Sequence, residues 1–353
     1  LVFAEVVIRG NPIIRSIQGL CRERARLQLY EPKGRDFQGW SELNAAVAGT
    51  ILLATALLST ERALARVAGP RVASSVCEFL VFGLKQAAAC VFAGSFLFLL
   101  AISSRVSIPG LARYDFLFLS AIAIQIVLVA ARLENWREVA VLSLFHMVGM
   151  GLELFKTSPS IRSWSYPEHA FFHLRTVPLY SGFMYASVAS YIMQAWRLMC
   201  LKITAFPPFG LAVGLSAAIY ANFFTNHYIV DLRWPLAAAV LLLFRKTQVH
   251  FTVTNKVRRM PVALSFLLIG FFIWVAENIA TYFGAWQYPH QKRQWAIVGP
   301  TKISSWMLLV IISFIIVAAL KEIFPKPQEV FPDGDETVAA LDASSDSVVA
   351  KGE

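Results

Sequence analysis

Charge is scarce in this chain. Of 353 residues, 15% are Asp, Glu, Lys or Arg, while 57% are hydrophobic and mean hydropathy is +0.58. A soluble domain carries about 25% charged residues and about 45–50% apolar ones. Cysteine is also sparse: Cys21, Cys77, Cys90 and Cys200 form no Cys-x-x-Cys. That scatter excludes a disulfide framework and a cysteine zinc site, leaving four small hydrophobes. There is no P-loop, dinucleotide-binding glycine pattern, kinase set or serine-hydrolase elbow, so no cofactor is expected. No basic start, short apolar core and small-residue cleavage site occur in order, so no cleaved signal peptide is expected. The apolar segments do not alternate with period two, which disfavours a transmembrane barrel. Lipid excludes an open sheet, because its edge groups would go unsatisfied.

What the chain does have is near-continuous apolar runs of roughly 17–25 residues, the length that crosses a bilayer as helix. They predict an all-α polytopic membrane protein with about eight transmembrane helices, at 79–102, 115–131, 137–156, 177–199, 208–228, 232–245, 261–283 and 302–320. Residues 1–76 read as a basic arm, with an apolar stretch at 44–59 that is short for a further span. Residues 322–353, rich in Asp, Glu and Pro, read as a disordered acidic tail. The formal charge of +10 comes from basic residues flanking the apolar runs. They fit topology and anionic lipid headgroups, not nucleic acid. The basic segment 245–259 is expected on the cytoplasmic side, which puts both termini there in a bacterial inner (plasma) membrane. The partners expected are the lipid bilayer and an unknown small molecule or lipid, with oligomeric state open.

One pattern occurs twice. Glu153-Leu-Phe-Lys-Thr157 precedes Trp164-Ser-Tyr166-Pro167 and Pro178, and Glu277-Asn-Ile-Ala-Thr281 precedes Trp286-Gln-Tyr288-Pro289 and Pro300. The offset between copies is 124 residues at the glutamates and 122 at Pro167 and Pro289. The match predicts an internal duplication of two parallel four-helix halves, 77–200 and 201–321.

Carboxylates inside apolar helices are costly and mark functional sites. Glu277 follows Phe271, Phe272, Ile273, Trp274, Val275 and Ala276, with no basic residue within a turn. It is therefore expected to be protonated or hydrogen-bonded across helices. Glu153 has Lys156 three residues on as a helical partner. His146, two turns earlier, shares its face, with Gly149 between them permitting close approach. Glu277, Glu153, His146 and Asn278 are the candidates for chemistry. Trp164, Tyr166, Trp286, Tyr288, Asn222, His227, Thr157 and Thr281 are candidates to line a substrate site. Trp and Tyr also favour the bilayer interface, and Asn222 with Asn226 also suits helix–helix bonding. His169 and His173, spaced i and i+4 beside Glu168, could hold a metal if that segment were helical.

The segments Leu-Phe-Lys-Thr at 154–157, Trp-Ser-Tyr-Pro-Glu at 164–168, Val-Pro-Leu-Tyr-Ser-Gly-Phe-Met-Tyr at 177–185 and Ala-Glu-Asn-Ile-Ala-Thr at 276–281 resemble DUF817. That is a family of bacterial integral membrane proteins with no assigned function. The resemblance runs from about Cys77 to Lys321. A narrower one, at Glu277, Trp286, Tyr288 and Pro300, is to membrane lycopene cyclases and related carotenoid enzymes. Thr301 and Lys302 stand here where those enzymes carry an acidic pair. Three function classes stay open. The leading one is a small-solute or proton-coupled transporter that uses the intramembrane glutamates. Another is an intramembrane enzyme using carboxylic acid catalysis on an isoprenoid or lipid-like substrate. The third is a non-catalytic membrane component.

Overall fold

The computed structural model describes residues 59–60, 65–66, 69–254 and 257–323, with side chains to 319. Most of the expected basic arm, nearly all of its apolar stretch at 44–59, and the acidic tail from 324 lie outside the described residues. Two compact units divide at Val317 and Ala318. All that follows concerns the first; of the second, only the closing turns of the last helix are described.

Among the described residues the chain forms α1 (Pro70–Ala89), α2 (Val91–Ser103), α3 (Arg113–Ala130), α4 (Trp136–Lys156), α5 (Tyr180–Leu198), α6 (Phe209–Thr225), α7 (Arg233–Leu243), α8 (Val262–Tyr282) and α9 (Lys302–Ile323). Short strands join them: β1 (His173–Leu174) pairs with β2 (Val177–Pro178), and β3 (Lys202–Thr204), β4 (Gln248–Thr252) and β5 (Val257–Pro261) form an antiparallel sheet in that order. Local chemistry fixes several ends. Pro70 starts α1, where its missing N–H costs nothing. Asn135 accepts the N–H groups of Arg137 and Glu138, and Glu138 accepts that of Asn135, a reciprocal cap on α4.

Two expectations are corrected. The run at 79–102 is not one helix. It starts at Pro70 and breaks at Cys90, whose ψ of 16° leaves the helical range. Hydropathy reports what a segment is buried against, and says nothing about one backbone angle inside it. Nor is the fold all-α. The basic stretch around 245–259 carries β4 and β5, with Val249 paired to Met260 and His250 to Arg259. Its charges fit a surface segment, and β4 alternates polar and apolar residues as a half-exposed strand does. Arg258 makes a bidentate contact with Glu78 (2.8 and 2.6 Å), and Lys85 Nζ donates to Thr252 O at 3.0 Å, which fastens the sheet to α1.

The helices are also less uniform than the runs. Five are long and apolar enough to cross a membrane: α1, α3, α4, α8 and α9 up to Ala319. Apolar α2, α6 and α7 are shorter, at 13, 17 and 11 residues. At 1.5 Å per residue, α7 covers only about 16 Å of a hydrocarbon core of about 30 Å. Large apolar side chains stand outward on several helices, among them Phe79, Phe98, Ile126, Val127, Leu242 and Phe272. These helices are compatible with membrane association.

Candidate functional site

Glu153 lies in the last turn of α4 and is 2% exposed. Three side chains donate to its carboxyl group. Trp164 Nε1 (2.7 Å) and Tyr166 OH (2.8 Å) reach Oε2 from the loop after α4, and Tyr185 OH (2.8 Å) reaches Oε1 from α5. Gly149 makes the third contact sterically feasible. A Cβ there would stand 2.5 Å from the ring of Tyr185. Burial, then the neighbouring Glu153, hold the Tyr166 phenol well above its ordinary range, so it stays a donor. A carboxylate is an acceptor of several bonds and suits such a cradle.

Glu277, in the second-last turn of α8, is 3% exposed. Tyr288 OH donates to Oε1 at 2.5 Å, and Trp306 Nε1 donates to Oε2 at 2.7 Å from α9. Trp306 follows Tyr185 by 121 residues, close to the 122 between Tyr166 and Tyr288. Each glutamate is thus held by its own Trp-x-Tyr-Pro segment and by an aromatic donor on the next long helix. The copies differ at the motif tryptophan: Trp164 binds its glutamate, whereas Trp306 supplies the indole in the second copy. Helix α9 reaches α8 closely because residue 270 is glycine; a Cβ there would sit 2.7 Å from Met307 N.

The two loops also meet. Ser165 N donates to Gln287 O (2.9 Å) and Gln287 N donates to Ser165 O (2.8 Å). These are the central residues of the two Trp-x-Tyr-Pro segments. Trp164 packs edge-on to Tyr288 at 6.0 Å. The Lys302 ammonium lies 4.8 Å from the Tyr288 ring centre and 5.6 Å from that of Trp164. Among the described residues it has neither a hydrogen-bond acceptor nor an ion-pair partner.

Lys156 does not pair with Glu153. Its Nζ donates to His227 Nε2 (2.7 Å) and Asn226 Oδ1 (3.4 Å), beyond the end of α6. The i, i+3 rule describes an isolated helix. Here aromatic donors already surround the carboxyl group, and a neighbouring element offers neutral acceptors. Burial and the charges of Lys156 and Lys302 hold His227 below its ordinary pKa, which keeps it an acceptor.

Glu153, Glu277, Lys156, His227, Arg233 and Lys302 gather at one cavity of about 1060 Å³. Apolar side chains form most of its wall, among them Phe82, Phe96, Leu100, Val188 and Phe266. Gly83 and Gly94 also border it, and a Cβ at either would meet nothing within 4 Å. The chamber is apolar along most of its length, with carboxyl and cationic groups collected together.

Of the other candidates, Trp164, Trp286 and Tyr288 line the cavity. His146 does not; its ring packs against Phe183 at 4.7 Å and so close to Gly182 that a Cβ there would stand 2.6 Å from Nδ1. Asn278 accepts the Val298 N–H (2.8 Å) and donates to Trp274 O (2.8 Å), tying down the loop before α9. Thr281 accepts from Trp295 Nε1, and Thr157 shares a hydrogen bond with Thr176. Asn222 bonds Asp231 and the Leu232 N–H, holding the turn into α7. His169 and His173 do not form the expected helical pair, because the segment runs into the β1–β2 hairpin. His173 Nδ1 lies 2.8 Å from Arg175 O, and Glu168 pairs instead with Arg113 (2.6 Å). No group of three metal-binding side chains gathers among the described residues.

Sequence reasoning missed Tyr185, Trp306 and Lys302. The 121-residue spacing of the first two is close to the 122 between Tyr166 and Tyr288 and could have flagged them. Lys302, a lone cation at the mouth of an apolar helix, meets the criterion applied to the glutamates. Also missed was Asp115, buried in α3, which accepts the main-chain N–H groups of Phe171 and Phe172. Arg113, beside it, reaches the carbonyls of Leu100, Phe283 and Gly284 at the ends of α2 and α8.

Residues 78–314 match a family described as protein of unknown function (DUF817). The chain is 49% identical over 249 residues to "Uncharacterized protein YoaT" of Bacillus subtilis (strain 168), covering 70% of this chain and 94% of that protein. No solved structure matches.

Proposed function

The chain belongs to the DUF817 family, and we propose that it is a multi-pass bacterial plasma-membrane protein that binds an apolar or amphipathic small molecule in the chamber beside Glu153 and Glu277. The observation that carries this reading is the chamber itself. Its volume matches that of a small-molecule site, and a mostly apolar wall with a few grouped polar side chains is the usual makeup of one. A small hydrated solute would find few partners along that wall. Glu153 and Glu277, held by neutral donors, are placed to exchange protons with a ligand, the requirement for general acid–base work.

The same reading includes a duplication of parallel halves, with both Trp-x-Tyr-Pro loops on the non-cytoplasmic side and both termini in the cytoplasm. What supports it is the mutual pairing of Ser165 with Gln287, because equivalent residues that bond each other in both directions are what a local two-fold axis produces. Transport is a second reading, favoured by that pairing alone, since parallel repeats are a transporter architecture.

The test is extraction of bound molecules. Protein purified in mild detergent is extracted with organic solvent, and the extract is examined by mass spectrometry. One apolar compound should accompany the wild type in near-stoichiometric amount. It should be lost from Gly94→Phe, which places a ring in open space at the cavity wall. Equal amounts in both, or only bulk lipid in both, would count against the chamber as the site.

A further inference from the structure

We propose that the ligand of this chamber carries an anionic head and that Lys302 is the residue that receives it. The inference rests on the chamber being a ligand site, and it names the ligand's class.

The argument compares the polar groups at the cavity one by one. The carboxyl group of Glu153 accepts three donors and that of Glu277 accepts two, all from neutral Tyr and Trp side chains. Both are therefore satisfied without a cation from the ligand. Lys156 is satisfied by His227 and Asn226, and Arg233 by Asp231 at 3.1 Å. Lys302 differs from all of them. Its ammonium has three N–H donors; among the described residues it lies over the faces of Tyr288 and Trp164 with no acceptor in hydrogen-bond reach, and the carboxyl groups of Glu277 and Glu153 act on it only through space. An aromatic face stabilises a cation but accepts little of its hydrogen-bonding capacity. A half-buried ammonium left in that state is costly, and an oxygen acceptor of opposite charge would remove the cost. A cationic or neutral head offers no such match.

The position of the ammonium fits an amphiphile. It borders the same cavity as Leu100, Val188 and Phe266, so a head bound at Lys302 leaves an acyl or other hydrocarbon chain against apolar walls. The cavity also borders outward-facing Phe79, Leu268 and Phe272, on α1 and α8. A lipid-derived chain could reach it there from the side.

The experiment uses the full chain in detergent and four probes of matched chain length: oleate, oleoyl lysophosphatidate, monoolein and oleylamine. Binding is read from the fluorescence of Trp164, Trp286 and Trp306, which border the cavity, and confirmed by native mass spectrometry. Oleate or lysophosphatidate should bind at least tenfold more tightly than monoolein or oleylamine. Whichever of the two is preferred identifies a carboxylate or a phosphate head. Lys302→Met should remove the preference, and Lys302→Arg should retain it, which separates a lost charge from a misfolded variant. Monoolein or oleylamine binding as tightly as the anions would overturn the head-group inference while leaving an apolar-ligand site in place. The same holds if Lys302→Met, folded, kept the anion preference. Failure of all four probes to bind, with Gly94→Phe indistinguishable from wild type, would overturn both readings.

Discussion

Ser165 and Gln287 hydrogen-bond to each other through both main-chain N–H groups, at 2.9 and 2.8 Å, and each is the central residue of its own Trp-x-Tyr-Pro segment. The pairing brings Tyr166 and Tyr288 to one place, and with them the two glutamates they hold. It has a topological consequence. If the halves are parallel, the loops that carry these residues share one side of the membrane. Cysteines at exposed Ser160 and Lys292 should therefore both react with a membrane-impermeant thiol reagent in intact cells. Labelling at one position alone would rule the arrangement out.

The two carboxyl groups should differ in what their loss does to stability. Glu153→Leu strands three part-buried donors, whereas Glu277→Leu strands two. Each donor left without a partner costs about 1–3 kcal/mol. Thermal unfolding in detergent should show Glu153→Leu as the less stable by roughly the cost of one donor. The opposite order would mean that Trp164, Tyr166 or Tyr185 finds another acceptor.

Gly149 should matter through Tyr185. In Gly149→Ala the new methyl group meets the Tyr185 ring, which must shift and weaken its bond to Glu153. Overpacking of this kind costs about 1–3 kcal/mol. Introducing Tyr185→Ala first should abolish most of the penalty, because the obstructed ring is gone. A double-mutant cycle measures the coupling, and simple additivity would refute it.

The contact between Lys156 and His227 should be sensitive to acid. His227 must be neutral to accept from the ammonium. Its folded pKa is lowered, by burial and by the charges of Lys156 and Lys302. Below the ordinary histidine range the unfolded chain then binds more protons than the folded one, so stability falls as pH falls. The loss should set in as pH falls from about 7 through the ordinary histidine range. His227→Gln keeps an acceptor without a titrating ring. Its melting temperature should vary less over that interval than that of the wild type.

The sequence by itself determined the apolar helices, the recurrence of Glu with Trp-x-Tyr-Pro, and the choice of Glu153 and Glu277 as the residues to watch. Those features are local, or repeat at a fixed interval, so composition and spacing expose them. What the tertiary structure decided is who meets whom. Lys156 turns to His227 instead of Glu153, Tyr185 and Trp306 complete the two carboxyl cradles, and Lys302 settles over Tyr288 and Trp164. The break at Cys90 and the sheet at β3–β5 were likewise hidden. A side chain's partners depend on the rotation and approach of neighbouring helices. Approach is set in part by single glycines such as Gly149 and Gly270, where the missing Cβ lets a ring or a backbone come near. No one-dimensional pattern carries that distance, because the atoms that meet belong to segments far apart in the chain.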